Sequence, residues 1–224
     1  MKTQIAKYIS IAVLILLPYS IFVFLPDQDI IRLTAEDNLI ESLGAIFLFA
    51  TSIIFFIVYA RDINGNDLLI FKTKKNIFYL LLALLFFWAG GEEISWGQRI
   101  FNISTPQALS QINDQQEITI HNLKVFSDTG LLNANHLFTY FWVSFCLIVP
   151  IIARYSPVSE NWFKKINLPL VPIWLAVFFV LSFSAASLIK YGLGYMQSVS
   201  EVKETSICSL FLIFSIISLT EDHR

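Results

Sequence analysis

The sequence predicts an all-α fold, a polytopic membrane helix bundle of about six transmembrane helices with both termini in the cytoplasm. Composition is the first indication, because only 14% of the 224 residues are charged and 56% are hydrophobic, whereas a soluble domain carries about 25% charged residues. Spacing is the second, because the apolar residues come in blocks of about 14–22, close to the ~20 residues that cross a bilayer core. The apolar blocks run through the whole chain, so we expect residues 1–224 to form a single integral membrane domain without a separate soluble domain.

The six predicted spans follow the apolar blocks in order. We place them at residues 8–25, 39–60, 77–96, 137–153, 168–189 and 203–219, with an outer loop at 100–135. The first block follows Lys2 and Lys7, as in a signal peptide. It is long for one, however, and residues 26–29 after it form no small-residue cleavage site, so we expect an uncleaved helix. The last block, Ser206–Leu219, is short, so its span must include the preceding turn, which draws Glu204 toward the membrane.

The distribution of positive charge predicts the orientation of the bundle. Six spans place both termini on the same side, and ten of the 15 lysines and arginines fall on that side. The positive-inside rule therefore places the termini in the cytoplasm of a bacterial cell and the protein in the inner membrane. Twelve of the 17 acidic residues fall on the other, periplasmic side.

A polar motif ends the third span, at Gly90–Arg99 (GGEEISWGQR), directly after the almost wholly apolar run Ile77–Ala89. Charged side chains in hydrocarbon cost about 2.5–3.5 kcal/mol each, so such a cluster indicates a functional site. Other polar residues fall at the same level, at the outer ends of spans or in the outer loop: Glu36, Asp37, Asn38, Glu41, His121, Asn122, His136 and Glu204. We therefore expect carboxylates that are distant in the sequence to converge in one pocket near the periplasmic surface.

The residues of this region could serve catalysis, binding or structure. For catalysis, Glu92 and Glu93 would be general acid and base, because crowded carboxylates hold protons more tightly. Arg99 would clamp an anion, and His121 would exchange protons. For binding, we expect these side chains to contribute: Glu41, Trp96, Gln98, Asn122 and His136. If the helix continues through the motif, Glu92, Trp96 and Arg99 share one stripe; the same polar groups could instead form a buried network that holds the helices in register.

A divalent metal ion is a further alternative for this site. Carboxylates and imidazoles are ligands for hard or borderline divalent cations. The candidate ligands in this chain are Glu41, Glu93, His121 and His136. The sequence contains neither an EF-hand loop nor an H-E-x-x-H pair, the two patterns that would make the metal alternative specific.

The string E-E-x-S-W-G-Q-R at Glu92–Arg99 is specific, and it is accompanied by further residues in the same part of the chain. These are Glu36, Asp37, Asn38, Glu41, Thr105, Pro106, Asn113, Gln115, Glu117 and the run His121–Leu123. Together they resemble an uncharacterised bacterial family of polytopic membrane proteins, and the resemblance implies the position of a site without implying a reaction. The chain bears a fainter likeness to alkaline ceramidases, membrane hydrolases that hold zinc with three histidines. The histidines here are His121, His136 and His223, and His223 falls at the predicted cytoplasmic end.

Three classes of function are compatible with these observations. The first is a non-catalytic membrane component used in assembly, sensing or defence. The second is a membrane-embedded hydrolase or transferase that acts on a lipid or envelope substrate. The third is a proton-linked transporter or channel, against which the absence of acidic residues at mid-membrane depth argues. As partners we expect the lipid bilayer and, for an enzyme, a lipid or envelope substrate, but no nucleic acid; the oligomeric state stays open.

Overall fold

The computed structural model describes residues 2–35, 38–61, 75–98, 100–127 and 134–221. These residues are predominantly helical, and they contain no strand beyond an isolated bridge between Asn113 and Leu123. The helices are α1 (Lys2–Leu16), α2 (Ile21–Phe24), α3 (Asp27–Thr34), α4 (Leu39–Arg61), α5 (Ile77–Glu93), α6 (Gln107–Ser110), α7 (Lys124–Ser127), α8 (Ala134–Trp142), α9 (Val149–Tyr155), α10 (Pro157–Lys165), α11 (Ile173–Leu193) and α12 (Met196–Glu221). The predicted all-α class is confirmed.

Five segments of the described residues contain helices long and apolar enough to cross a membrane. They are Gln4–Phe24, Asp27–Arg61, His136–Tyr155, Ile173–Leu193 and Gln197–Thr220. Helix α5 is shorter, with 17 residues, which is the lower limit of the ~17–25 residues that span a bilayer. The structure therefore contains several apolar helices that are compatible with a membrane-embedded protein.

The core of the bundle is built around α12, which packs against α4 and α11, while α4 also packs against α5. The ring of Phe211 on α12 lies 4.8 Å from that of Phe86 on α5 and 5.3 Å from that of Phe179 on α11. Hydrogen bonds between helices accompany this packing: Ser52 on α4 donates to the Ala83 carbonyl at 2.8 Å. Such bonds stabilise neighbouring helices in a membrane because no water competes for the same groups.

Proline residues interrupt the spans that contain them. Pro18 lies in a 3₁₀ turn, Leu17–Ser20, that joins α1 to α2. A π-helical turn, Val143–Ile148, joins α8 to α9 just before Pro150. A proline has no N–H to donate within a helix, and wide or tight turns absorb the missing bond.

Several helix ends differ from the predicted spans. The predicted span 77–96 continues past the end of α5, which stops at Glu93. The predicted span 168–189 begins before its helix, because α11 starts at Ile173, directly after Pro172. Helix α12 begins at Met196, well before residue 203. The turn before the last apolar block therefore belongs to the helix, as its short length required.

Candidate functional site

A cavity of about 740 Å³ lies where α4, α5, α11 and α12 meet α8 and the loop at 115–126. On α12, Glu201, Glu204 and Cys208 line it at intervals of three and four residues, which places them on one face of the helix. On α5, Trp88 and Glu92 line it four residues apart. The cavity therefore lies at the end of the bundle where α4 begins and α5 ends.

Six carboxylates line the cavity. They are Glu41, Glu92, Glu93, Glu117, Glu201 and Glu204. The basic side chains among the lining residues are Lys190 and His121. A third, Lys203, places its Nζ 3.6 Å from Oε1 of Glu204. Among the described residues, acidic side chains therefore outnumber basic ones at the cavity.

Glu93 lies at the centre of the acidic group. The charges of Glu204, Glu41 and Glu201 all act on it. Gly44 on α4 lies beside its side chain and close to α12: a Cβ atom there would be in ordinary contact with Glu93 Oε1 at 3.5 Å and in a tight contact with the hydroxyl oxygen of Thr205 at 3.3 Å. The convergence predicted for Glu41, Glu93 and Glu204 is thus present in the structure.

The remaining wall of the cavity is apolar and open to the side. Leu85 and Trp88 of α5 and Leu137 of α8 line it while being 36%, 43% and 41% exposed. Below them, the rings of Phe86 and Phe141 line the cavity and pack 6.3 Å apart in an edge-on arrangement. The cavity is therefore amphipathic, with carboxylates at one end and hydrocarbon side chains toward the middle of the bundle.

Glu92 holds the outer loop against the end of α5. Its carboxylate is 5% exposed and accepts hydrogen bonds from the backbone N–H groups of Ile120 at 2.7 Å and His121 at 3.0 Å. The indole N–H of Trp96 donates to it at 2.8 Å, and Nδ1 of His121 lies 3.1 Å from Oε2. A carboxylate bound by several donors in this way is a positioning group, and it fixes the loop over the cavity.

A second network builds the loop itself. Glu117 is 6% exposed and accepts from the hydroxyl of Ser95 at 2.8 Å. Gln98 accepts from the Ile118 N–H at 2.7 Å and donates to Thr105 at 2.6 Å. A buried asparagine completes the turn: the amide of Asn113 donates to the Thr119 carbonyl at 2.9 Å and accepts from the backbone N–H groups of residues 115 and 117. The motif is therefore used largely to bind and shape this loop.

The motif adopts a left-handed turn in place of a helix. Ser95, Trp96 and Gly97 have φ angles of 48°, 53° and 74°. The predicted helical stripe through Glu92 and Trp96 is therefore wrong, although the two side chains still meet because the turn folds the indole back. Its ring lies against Gly91, where an added Cβ would be 2.7 Å from the nearest ring carbon.

The structure brings some of the predicted site residues to the cavity and leaves others out. The predicted residues that line it are Glu41, Glu92, Glu93, His121 and Asn122. Trp96 and Gln98 are not among the lining residues and act in the loop networks instead. His136 is also outside the lining, exposed and stacked on Tyr140 at 6.1 Å. Arg99, Glu36, Asp37 and His223 lie outside the described residues.

Residues that the sequence reasoning missed also line the cavity, chiefly Glu201 and Lys190. The spacing of Glu201, Glu204 and Cys208 is a helical one. Continuing the last helix back from its apolar block would have placed Glu201 beside Glu204 at the site.

The described residues do not arrange a metal site. Within the ranges above, no group of three or more histidine, cysteine, aspartate or glutamate side chains is placed to hold a metal ion. Of the four candidate ligands, His136 lies away from the cavity and His121 is directed to Glu92.

No family model matches the sequence, and comparison with curated proteins and with solved structures also finds no match.

Proposed function

We propose that this chain is a six-span inner-membrane protein, with both termini in the cytoplasm, that acts as a non-catalytic membrane component by binding a small cationic molecule in its acidic cavity. Helix α5, added to the five longer segments, brings the number of spans to six, and the cavity faces the periplasm. The observation that carries the proposal is the convergence of six carboxylates on one cavity of about 740 Å³.

The charge of the cavity selects the ligand. Carboxylates that face a partly apolar space lack the solvation that water would give them, and a bound cation supplies a compensating charge. Among the described residues, Lys190 and His121 line the cavity and Lys203 lies beside Glu204, so the acidic groups there outnumber the basic ones. An ammonium or guanidinium group on the ligand would supply more, and Glu93, at the centre of the acidic group, is its expected partner.

The size of the cavity fits a small molecule. Binding sites for small ligands have volumes of about 300–1,000 Å³, and they combine apolar walls with a few polar groups. The loop networks described above do not use the carboxylates of Glu93 and Glu204, which line the cavity. Since Glu92, Ser95 and Gln98 hold the loop, the motif supports a binding site that is shaped in advance rather than a reaction centre.

Calorimetry on purified protein in neutral detergent would test the proposal. We expect n-hexylammonium to bind and to raise the unfolding temperature, by an amount set by the ratio of its concentration to its Kd. n-Hexanol and hexanoate, which have the same chain, should bind at least tenfold more weakly, because a hydrogen-bonded charge pair contributes about 1.5–3 kcal/mol.

Two substitutions sharpen the experiment. Glu93→Gln should weaken hexylammonium binding by about tenfold or more, whereas Glu160→Gln should leave it unchanged because Glu160 lies on α10, on the predicted cytoplasmic side. Equal binding of the amine, the alcohol and the acid by the parent protein would overturn the proposal, as would an unaltered affinity in Glu93→Gln.

A membrane-embedded hydrolase or transferase is the second candidate. It is favoured by the position of Glu93 among other glutamates, an arrangement in which one carboxyl group can be protonated while its neighbour is ionised, as acid–base catalysis needs. Incubation of the protein with a bacterial lipid extract, followed by mass spectrometry, would reveal turnover. Products that form with the parent protein and not with Glu93→Gln would establish this candidate in place of the first.

A further inference from the structure

We infer that the ligand is a lipid-like amine, a single alkyl chain that ends in a positively charged group, and that it reaches the cavity sideways from the bilayer between α5 and α8. The inference rests on the proposed cation-binding function and adds the class of ligand and its path. Its basis is the apolar part of the cavity, away from the carboxylates.

The side opening is the first support. A residue that lines a cavity and is also well exposed marks a place where the cavity reaches the surface. Leu85, Trp88 and Leu137 meet this description, and all three are apolar. They belong to helices that cross the membrane, so the surface they reach is in contact with lipid chains. A water-soluble cation would lose its hydration in an apolar opening that faces lipid. An alkyl chain, in contrast, stays in apolar surroundings as it passes through.

The depth of the apolar part is the second support. Glu93 and Phe86 both line the cavity and lie seven residues apart on α5, which corresponds to about 10 Å along the helix. At the lower end, Phe86, Phe141 and the fully buried Phe211 pack against one another and close the space. The cavity thus has a charged upper end and a hydrocarbon lower end, which is the shape of an alkylammonium ion.

The outer loop is the third support, because it covers part of the side of the cavity that faces water. Ile120 and Phe126 of this loop line the cavity. The backbone of the loop is held to α5 through the bonds from Ile120 and His121 to Glu92. The gap between α5 and α8 is the path that suits a ligand with a long chain, because its exposed lining residues are apolar, whereas those on the loop side include the polar Gln115.

Photolabelling in nanodiscs of a zwitterionic lipid tests both the ligand class and the path. The probe is dodecylamine with a diazirine on its terminal carbon, and labelled peptides are mapped by mass spectrometry. We expect labels on the cavity-facing residues of α5 and α8, competition by unlabelled dodecylamine, and loss of these labels in Glu93→Gln. With the same diazirine on dodecanol, we expect no labelling of these residues that is reduced by an excess of unlabelled dodecanol.

A pair of matched variants tests the path. Leu137→Trp places a larger side chain in the opening and should slow the appearance of label with time after the probe is added, because entry between α5 and α8 is narrowed. Leu188→Trp places the same ring on α11 at a position that is 75% exposed and not part of the cavity lining, and it should leave the labelling rate unchanged.

The outcomes separate this inference from the proposed function. If hexylammonium binds in calorimetry but the dodecylamine probe labels only the outer loop or the outer surface of the bundle, the lipid-like ligand is overturned and the cation site stands. Equal labelling rates in Leu137→Trp and Leu188→Trp would overturn the path. If neither amine binds, the proposed function itself fails.

Discussion

Replacing Gly91 by alanine is expected to destabilise the end of α5 through one contact, that with Trp96. A Cβ atom at this position would lie 2.7–2.8 Å from three carbons of the indole ring. Carbon atoms in contact are normally about 3.5–4.0 Å apart, so the ring must move by roughly 0.8 Å or more. That movement pulls the indole N–H away from Glu92, to which it donates at 2.8 Å.

The magnitude follows from three terms of known size. Overpacking costs about 1–3 kcal/mol, and a weakened hydrogen bond to a charged group costs up to about 1.5–3 kcal/mol. Alanine in a helix gains at most about 1 kcal/mol over glycine. We therefore expect Gly91→Ala to lower the free energy of unfolding by about 2–4 kcal/mol.

A double-mutant cycle distinguishes this mechanism from a general intolerance of alanine. In a Trp96→Ala background the clash and the bond are both absent, so Gly91→Ala should be neutral or stabilising by up to about 1 kcal/mol. Reversible unfolding in detergent, followed by circular dichroism, measures all four proteins. Gly192→Ala is the control, since an added Cβ there has no atom within 4 Å. If Gly91→Ala costs as much with Trp96 absent as with it present, the reasoning is refuted.

Three further predictions use other contacts of the structure. Glu92→Ala should lower the free energy of unfolding by about 3–5 kcal/mol, because its buried donors lose their acceptor; amide hydrogen exchange at residues 120 and 121 should rise, and unchanged exchange would contradict the loop-holding role. Gly44→Val should push α4 away from α12, lower the free energy of unfolding by about 1–3 kcal/mol and weaken hexylammonium binding. A variant with unchanged stability and affinity would show that the close contact between the two helices is unimportant. Lys164 hydrogen-bonds to Glu160 at 2.6 Å and, by that bond and its charge, lowers the pKa of Glu160; this small stabilisation is present above the ordinary glutamate pKa and is lost as the pH falls through the lowered value. Lys164→Ala should return the pKa of Glu160 to its ordinary range, and NMR of the carboxyl carbon measures the titration. A titration of Glu160 that does not shift would refute the pairing.

The sequence could predict the class of the fold and the level of the site. Long apolar blocks leave a chain no alternative to helices in a bilayer, since backbone groups must find partners within the segment. Alternating directions of the helices then bring the start of α4, the end of α5 and the start of α12 to one end of the bundle. This is why Glu41, Glu93 and Glu204 could be assigned to one pocket.

The rotation of each helix about its axis could not be predicted in the same way. His136 lies at the expected level, yet it is exposed on α8 and absent from the cavity lining. Apolar residues surround a membrane helix on all sides, so a hydrophobic face does not indicate which side chains point inward. The position of Glu201 was missed for a simpler reason, because its helix begins in a polar stretch before the apolar block.

The turn at residues 95–97 was also beyond local sequence rules. Serine and tryptophan disfavour the left-handed region, and a local reading therefore continues the helix. The turn is stabilised by groups that are distant in the chain: Glu117 accepts from Ser95, and the folded-back indole of Trp96 reaches Glu92. Only a prediction that already contained the loop could have found it.

The left-handed turn has a consequence for how the outer region comes apart. Two of its residues are not glycine, and each is less stable there by about 1–2 kcal/mol than in a right-handed conformation. If the loop detached, Ser95 and Trp96 would be free to adopt right-handed helical angles. Helix α5 could then extend by another turn. The last turn of α5 and the loop should therefore melt together as one cooperative unit, ahead of the buried aromatic core, and the released helix end would not bind the loop again without unwinding first.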